Sequence, residues 1–404
     1  MKKFVLVFLF FLSFFSTQAQ ELSFSDSARI SLITCSPGPE VYAKFGHTAI
    51  RIVDQNPKID VVFNYGLFSF ETSNFYFKFI KGETDYQLGV FETAYFLPEY
   101  KERNSNVWEQ KLNLTVTEKR RLINSLMDNY RPENRIYRYN FVFDNCATRP
   151  RDKIMGALSG YVRFENLNDS KTFRQWIGTY VGNDSWLKFG IDLVFGLDAD
   201  RTATESESMF LPEVLMSELQ TGQIVEKNNQ SRKLVSDKVA LVIKDESKEE
   251  NAKEGFATKP LAVAIALLLL GTVITLWDYS RKRHFKTFDS VLMIVTGLTG
   301  IVVMFLMFFS SHPLVKSNLN LLWLNPLNIV FGILIWVKDT QVRRLIFFYQ
   351  IFNIILLVGA LFAFALSIQS FNLAVFPILV LMLMRSSRWF AYTKHKLYKR
   401  RELR

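Results

Sequence analysis

The sequence predicts two folded parts in series: an α+β domain, and then an all-α bundle of five transmembrane helices. Within the first half, short segments alternate apolar and polar residues between turn residues, which is typical of strands, and one segment at 114–130 has helical spacing. After Pro260 the composition changes to long apolar runs separated by short loops. We therefore expect a small antiparallel sheet packed against helices, followed by a membrane domain.

The extreme N-terminus has the pattern of a secretory signal peptide. Lys2 and Lys3 precede an apolar core at residues 4–15, and residues 17–19 form a small-residue cleavage site. We assign residues 1–19 to this signal and expect the mature chain to begin near Gln20, outside the cytoplasm.

Residues 20–225 are expected to form the α+β domain. Residues 48–54 alternate as a strand does, residues 55–58 read as a turn, and residues 60–66 predict the next strand of a hairpin. The helical segment at 114–130 has Thr115 or Thr117 as its start signal. Residues 226–259 are rich in Lys, Glu, Asn and Ser, which predicts a charged, solvated stalk with one short strand at 239–243.

Residues 260–392 are expected to hold the five spans. The apolar runs lie at 261–277, 291–309, 319–337, 345–366 and 373–384, the last extending toward Tyr392. Basic residues follow the first, third and fifth runs, and the tail at 393–404 is also basic. The positive-inside rule then predicts a cytoplasmic C-terminus and an α+β domain on the outer side of the inner membrane, in the periplasm.

The outward loop at 311–326 carries asparagines close to apolar residues, and such side chains are costly in a membrane unless they meet partners. Two interpretations remain open. The loop anchors the interface through Trp, His and interhelical hydrogen bonds, or it lines a lipid or substrate groove beneath the outer domain.

Cys146 is the candidate nucleophile. An aromatic run leads into Asp144-Asn145-Cys146, and a basic segment compatible with a helix follows. A thiol at a helix start is favoured as thiolate by free backbone N–H groups and by the helix dipole. Asp144 or Asn145 can cap this helix.

His47 is the candidate base for this thiol. The other three histidines, at 284, 312 and 395, lie in or beyond the membrane-spanning half. An imidazole that activates Cys146 inside the outer domain must therefore come from His47. Asn64 lies on the partner strand and can orient the ring, as the third group of a triad does.

Cys35 is the only other cysteine. In an oxidising compartment, two cysteines also fit one structural disulfide. A Cys35–Cys146 disulfide would consume the thiol, so the two interpretations exclude each other in the active state.

The segments at 37–38, 45–50 and 62–64, together with Asn145-Cys146, resemble a circularly permuted papain-type fold, in which the histidine strand precedes the cysteine helix. The lecithin–retinol acyltransferase-like and the permuted NlpC/P60-like proteins share this arrangement. Those acyltransferases usually carry a histidine where this chain has Asn64, whereas asparagine suits a papain-like Cys-His-Asn set.

Over nearly the whole mature chain, the segments at 35–38, 140–152, 198–212 and 311–326, with five C-terminal spans, resemble the Bacteroidota lipoprotein N-acyltransferase (Lnb) family. This resemblance implies a cysteine-dependent acyltransferase. Its acyl donor would be a membrane phospholipid and its acceptor the α-amine of a diacylated lipoprotein. Arg149, Arg151 and Asn145 are then candidate substrate-binding residues, with the arginines facing the donor phosphate, although solvated helix positions are the simpler explanation of the arginines.

Two other functions stay open from the sequence. A cell-wall peptidase or amidase of the NlpC/P60 type would use the same Cys-His pair, and a non-catalytic membrane receptor would carry the disulfide. We expect no metal and no cofactor, since the sequence holds neither a metal-ligand triad nor a Gly-rich phosphate loop. The net charge of +11 is largely explained by cytoplasmic loops, so nucleic-acid binding is not expected.

Overall fold

A computed structural model describes residues 22–399 except 57, 70, 72, 166–169 and 249–254. The predicted signal peptide at 1–19 lies outside the described residues. The described residues form ten strands: β1 (Arg29–Cys35), β2 (His47–Asp54), β3 (Ile59–Leu67), β4 (Asp85–Glu92), β5 (Val107–Leu112), β6 (Ile136–Arg138), β7 (Tyr161–Arg163), β8 (Gln223–Val225), β9 (Ser231–Lys233) and β10 (Val235–Val242).

The described helices of the N-terminal half are α1 (Phe75–Lys81), α2 (Thr93–Glu102), α3 (Val116–Tyr130), α4 (Thr148–Ala157), α5 (Phe173–Val181), α6 (Trp186–Val194), α7 (Glu205–Ser208) and α8 (Pro212–Thr221). Those of the C-terminal half are α9 (Pro260–Ser280), α10 (Lys286–Phe309), α11 (Leu327–Leu334), α12 (Thr340–Ala365) and α13 (Val375–Lys399). Thr115 caps α3 through a reciprocal pair of hydrogen bonds with Glu118, which confirms the predicted start of this helix.

The main sheet is antiparallel and has seven strands in the order β10-β5-β1-β2-β3-β4-β6. Its strands alternate, so that Leu32, Ile50 and Phe63 are buried on one face with residues of α3, α4 and α8. Ile33 and Val62 belong to a second cluster with residues of α2. The mixed α+β architecture predicted from the sequence is thus confirmed.

The second sheet is small, with the order β7-β8-β9. The chain then returns to the main sheet, where β10 pairs with β5. The main sheet therefore includes residues from the segment 226–259, which we expected to be a charged stalk. The single strand predicted at 239–243 is found, but it begins earlier, at Val235.

Among the described residues, three helices are long and apolar enough to cross a membrane, namely α9, α10 and α12. The apolar run at 319–337 is instead a short 3₁₀ turn followed by the eight-residue α11. The last run belongs to α13, which is long but carries Arg385 and Arg388. The count of five spans stays a prediction.

The loop at 311–326 packs the two halves of the chain against each other. The Asn320 amide donates to the carbonyl oxygens of Asp192 and Leu193, and Asn318 donates to Leu193 at 2.8 Å. Gly196 packs so closely that a Cβ atom there would lie 1.6 Å from the carbonyl oxygen of Lys316. The side-chain amides of Asn318 and Asn320 therefore donate to carbonyl oxygens of the N-terminal domain. Burying these amides without hydrogen-bond partners would cost free energy.

A buried ion-pair network reinforces this junction. The Arg174 guanidinium contacts Asp192 at 3.1 Å and Asp200 at 2.8 Å, and Lys188 contacts Asp192 at 2.5 Å. From the C-terminal half, Asn372 donates to the Asp192 carboxylate at 3.0 Å. Because these charges are paired and hydrogen-bonded, their burial is tolerated, and Asn372 links the network to the C-terminal half.

Candidate functional site

Cys146 lies just before α4, half-buried, at the end of a tight turn. The turn is closed by two backbone hydrogen bonds of 3.0 Å between Asn140 and Asp144. Thr148 begins the helix, and Pro150 falls in its first turn, where a missing N–H does no harm. The structure thus confirms the predicted placement of this thiol at a helix start.

The Asn145 side chain stabilises this turn through hydrogen bonds. Its side-chain N–H groups donate to the carbonyl oxygens of Phe141 and Phe210, at 2.7 and 2.8 Å. Its side-chain oxygen accepts from the N–H groups of Ala147 and Thr148, at 2.8 and 2.9 Å. The amide is buried and its hydrogen-bonding capacity is used, so Asn145 occupies a structural position and offers no group to a substrate.

His47 and Asn64 meet at the centre of the main sheet, on β2 and β3. The Nε2 atom of His47 lies 2.6 Å from Oδ1 of Asn64. Since Oδ1 only accepts, Nε2 carries the proton, and Nδ1 is the ring nitrogen left for the thiol. The imidazole also stacks on Tyr100 of α2, with ring centroids 6.5 Å apart and planes within 14°.

Cys146 and His47 are close enough that the charge of each shifts the pKa of the other. Burial by itself would raise the pKa of the Cys146 thiol, but the His47 charge, its hydrogen bond and the N–H groups of Thr48 and Cys146 outweigh burial, so the pKa is lowered. Burial would lower the pKa of His47, but the Cys146 charge and the bonds with Cys146 and Asn64 raise it. Both shifts favour thiolate and imidazolium, which is a nucleophile beside a general acid.

Gly66 lies directly beside the Cys146 and His47 side chains. Its φ is +95°, and a Cβ atom there would lie 3.4 Å from Cβ of Cys146 and 3.8 Å from Cε1 of His47. The β3–β4 register shifts between Asn64 and Leu67, as at a bulge. Glycine therefore permits the backbone turn, and a methyl group added here would fill the space directly beside the thiol and the imidazole.

Arg149 and Arg151 are both engaged within the domain. Arg149 binds the Asp144 carboxylate with two hydrogen bonds, at 2.5 and 2.7 Å, and its guanidinium lies 3.6 Å from the ring centroid of Tyr137. Arg151 contacts Asp152 at 2.7 Å and donates to the carbonyl oxygen of Ser206 at 2.5 Å. These contacts stabilise the start of α4, and a substrate phosphate would have to compete with them.

Cys35 is a free thiol, as is Cys146, so the predicted disulfide alternative is absent from the structure. Cys35 is fully buried on β1, opposite His47 in the sheet register. Burial raises the pKa of its thiol well above the usual range, although a hydrogen bond with Tyr100 acts in the opposite direction. A buried neutral thiol is a poor nucleophile, so Cys146, and not Cys35, has the surroundings of a nucleophilic thiol.

Sequence reasoning missed three contributors to the site. Tyr100 stacks on the imidazole, Gly66 lies beside both side chains, and the Thr48 backbone N–H helps to lower the pKa of the Cys146 thiol. The only sequence signal was that Thr48 follows His47 directly. Within the described ranges, no group of three or more His, Cys, Asp and Glu side chains could hold a metal ion.

Comparisons with known proteins give two matches, in the order of the two folded parts. A family model described as the Lnb N-terminal periplasmic domain matches residues 16–177. A second, described as the Lnb transmembrane domain, matches residues 250–397. No curated protein and no solved structure matches the chain.

Proposed function

The chain belongs to the Lnb family, with a periplasmic N-terminal part and a transmembrane part, and we propose that it is a cysteine-dependent lipoprotein N-acyltransferase. Its donor is a membrane phospholipid, and its acceptor is the α-amine of the diacylglyceryl-cysteine at the N-terminus of a lipoprotein. The observation that carries this proposal is the grouping of Cys146, His47 and Asn64 inside the periplasmic domain, where Asn64 binds the imidazole and both the thiol and the imidazole border Gly66. Such a set accepts and releases an acyl group through a thioester.

In the first half-reaction, the Cys146 thiolate attacks the carbonyl carbon of a phospholipid ester. The new S–C bond forms, the ester C–O bond breaks, and His47 gives its proton to the departing lysophospholipid oxygen. The products are an acyl-thioester on Cys146 and a neutral imidazole.

In the second half-reaction, the lipoprotein amine attacks the thioester carbonyl. The N–C bond forms as the S–C bond breaks, and His47 takes the proton that the amine loses. The amide product departs, and the pair returns to thiolate and imidazolium. Neither step requires a metal ion or a nucleotide.

The tetrahedral oxyanion of both steps needs hydrogen-bond donors. The N–H groups of Ala147 and Thr148 are already bound to the Asn145 side chain. The Cys146 backbone N–H is the donor that we assign to the oxyanion.

Asn64 acts through the imidazole. By accepting from Nε2 at 2.6 Å, it fixes the ring so that the other nitrogen faces the sulfur. The same bond stabilises the charged ring while the thiolate waits for its substrate.

We assign the protein to the inner membrane, with its C-terminus in the cytoplasm. The supporting observation is the distribution of basic residues, which are concentrated at 281–283, 343–344 and 394–404. The periplasmic domain then stands on the side of the membrane where exported lipoproteins present their amines.

The test uses a strain deleted for this protein and complemented with wild type, Cys146→Ala, His47→Ala or Cys35→Ala. Mass spectrometry of lipoprotein N-terminal peptides measures the amide-linked acyl group. We expect it to disappear with the Cys146 and His47 changes and to survive Cys35→Ala. N-acylation that persists without Cys146 would overturn the proposal, and release of muropeptides from cell wall would then be measured to test the peptidase alternative.

A further inference from the structure

Helix α1 presents an unusual surface for a domain that faces water. Tyr76 is 72% exposed and Phe77 is 57% exposed, and Phe79 and Ile80 are also exposed on the same short helix. Contiguous exposed apolar side chains of this size mark a contact surface for lipid or protein.

This surface adjoins the outer end of the membrane helix α10. The Ser311 N–H donates to the Lys81 carbonyl at 2.7 Å, and Nε2 of His312 donates to the Phe79 carbonyl at 2.8 Å. The Phe77 ring lies 6.3 Å from the Phe305 ring of α10. Phe308 and Phe309 are exposed at the same end of α10, so the apolar surface of α1 continues the lipid-facing surface of a membrane helix.

A series of stacked rings connects α1 with the candidate site. Phe75 stacks on Phe68 at 5.6 Å, Phe68 on Tyr86 at 4.9 Å, and Tyr86 on Tyr139 at 4.0 Å. Tyr86 and Tyr139 are close enough to Cys146 that, after burial, the thiolate charge contributes to raising the pKa of both phenols. The stacking therefore fixes α1 relative to the thiol.

The charge on α1 also suits a phospholipid. Lys78 and Lys81 lie in its last turn, and Lys81 is paired with Glu83 at 2.7 Å. Across the part of the chain that is described, Lys78 has no carboxylate partner. Lys78 and Lys81 thus place positive charge on the same short helix as the apolar surface, near the end of a membrane helix, where lipid phosphates lie.

We propose that the exposed face of α1 binds a fatty acyl chain of the donor phospholipid, taken from the outer leaflet beside α10, with Lys78 facing the lipid phosphate. This inference rests on the proposed function and names the surface that delivers its substrate. It also predicts that α1 senses chain length, because a chain that leaves the bilayer stays out of water only where the aromatic face covers its methylenes.

The test uses the full-length protein in nanodiscs of phosphatidylethanolamine and phosphatidylglycerol. Intact-protein mass spectrometry measures how fast Cys146 is acylated by dipalmitoyl and by dioctanoyl donors with the same headgroup. We expect the double variant Tyr76→Ser/Phe77→Ser to reduce the preference for the longer chain by about tenfold. An unchanged preference would mean that α1 only anchors the domain, and the proposal would fall.

Tyr161→Ser is the matched control, because Tyr161 is 65% exposed on β7 and does not belong to α1. It should keep the chain-length preference of the wild type. Alkylation of Cys146 by iodoacetamide reports an intact site in each variant.

A second measurement avoids the α1 substitutions. A phospholipid with a diazirine in its acyl chain is cross-linked to Cys146→Ala protein, and the labelled peptides are mapped. Labels on residues 75–81 support the proposal. Labels confined to the membrane helices, with Cys146 of the wild type acylated, would overturn the α1 site and leave the acyltransferase function standing. Labels on α1 without any acylation of wild-type Cys146 would support the lipid site and overturn the proposed function.

Discussion

Nε2 of His47 lies 2.6 Å from Oδ1 of Asn64, across two neighbouring strands of the main sheet. The bond joins the first residue of β2 to a residue within β3, so the folded domain forms it by itself. It therefore sets the ring orientation before any substrate arrives. Four predictions follow from this site and its supports.

The first prediction concerns the side chain of Asn64. Asn64→Ala removes the acceptor of a hydrogen bond to a charged ring, which is typically worth about 1.5–3 kcal/mol, so acyl transfer should fall about tenfold to a hundredfold. Asn64→Asp keeps an acceptor and should restore most of the rate. If the alanine variant matched the wild type in rates of Cys146 acylation, Asn64 would have no positioning role.

The second concerns pH. The lowered pKa of Cys146 keeps its thiolate present at pH values below those of an ordinary thiol, and the raised pKa of His47 keeps the imidazolium present above its ordinary range. Iodoacetamide alkylation of Cys146 should therefore begin at lower pH than alkylation of free cysteine.

His47→Ala is the control for this profile. It removes the charge that offsets burial, so alkylation should move to higher pH, and acyl transfer should fall about 10²–10⁴-fold. A profile that His47→Ala leaves in place would show that the imidazole does not stabilise the thiolate.

The third concerns Gly66. Gly66→Ala places a methyl group against Cys146 and His47 at a φ of +95°, so alkylation of Cys146 should slow several-fold. Gly182→Ala is matched, since Gly182 also has positive φ (+77°) but nothing within 4 Å of the new methyl group. It should cost about 1–2 kcal/mol of stability and leave alkylation unchanged. Equal alkylation rates in both variants would contradict the crowding argument.

The fourth concerns the junction network. Arg174→Met leaves Asp192 and Asp200 buried with fewer partners, so the free energy of unfolding should fall by about 3 kcal/mol. Arg120→Met removes an exposed ion pair with Asp26 and should not change the unfolding midpoint measurably. Thermal unfolding in detergent measures both, and similar midpoints for the two variants would refute a stabilising role for the network.

Parts of this fold were predictable because their causes are local. The α3 cap, the β2–β3 hairpin and the helix start after Cys146 each depend on a few adjacent residues. His47 could be proposed from the sequence because the other histidines lie in or beyond the apolar runs.

Other features depend on partners that are distant in the chain. Asn145 looked available to substrate, yet Phe210, 65 residues later, accepts from its amide. From the sequence, Asn320 was expected to be a polar side chain within an apolar run, yet its hydrogen-bond partners lie 127–128 residues earlier in the chain. No local pattern reports which distant groups will meet.

The docking of the two halves also has a consequence for how the chain is made. Leu314 is buried in the cluster that contains Phe173 and Phe210 of the periplasmic domain, while Phe189 and Leu193 of α6 pack on a cluster of the membrane helices. The ribosome completes residues 22–248 long before Leu314 is synthesised, so the periplasmic domain acquires its last core residue only after α9 and α10 have been made. Until then, the nascent domain lies outside the membrane with part of its apolar core exposed. A soluble fragment that ends before α9 would lack Leu314 and would leave this part of its core exposed permanently.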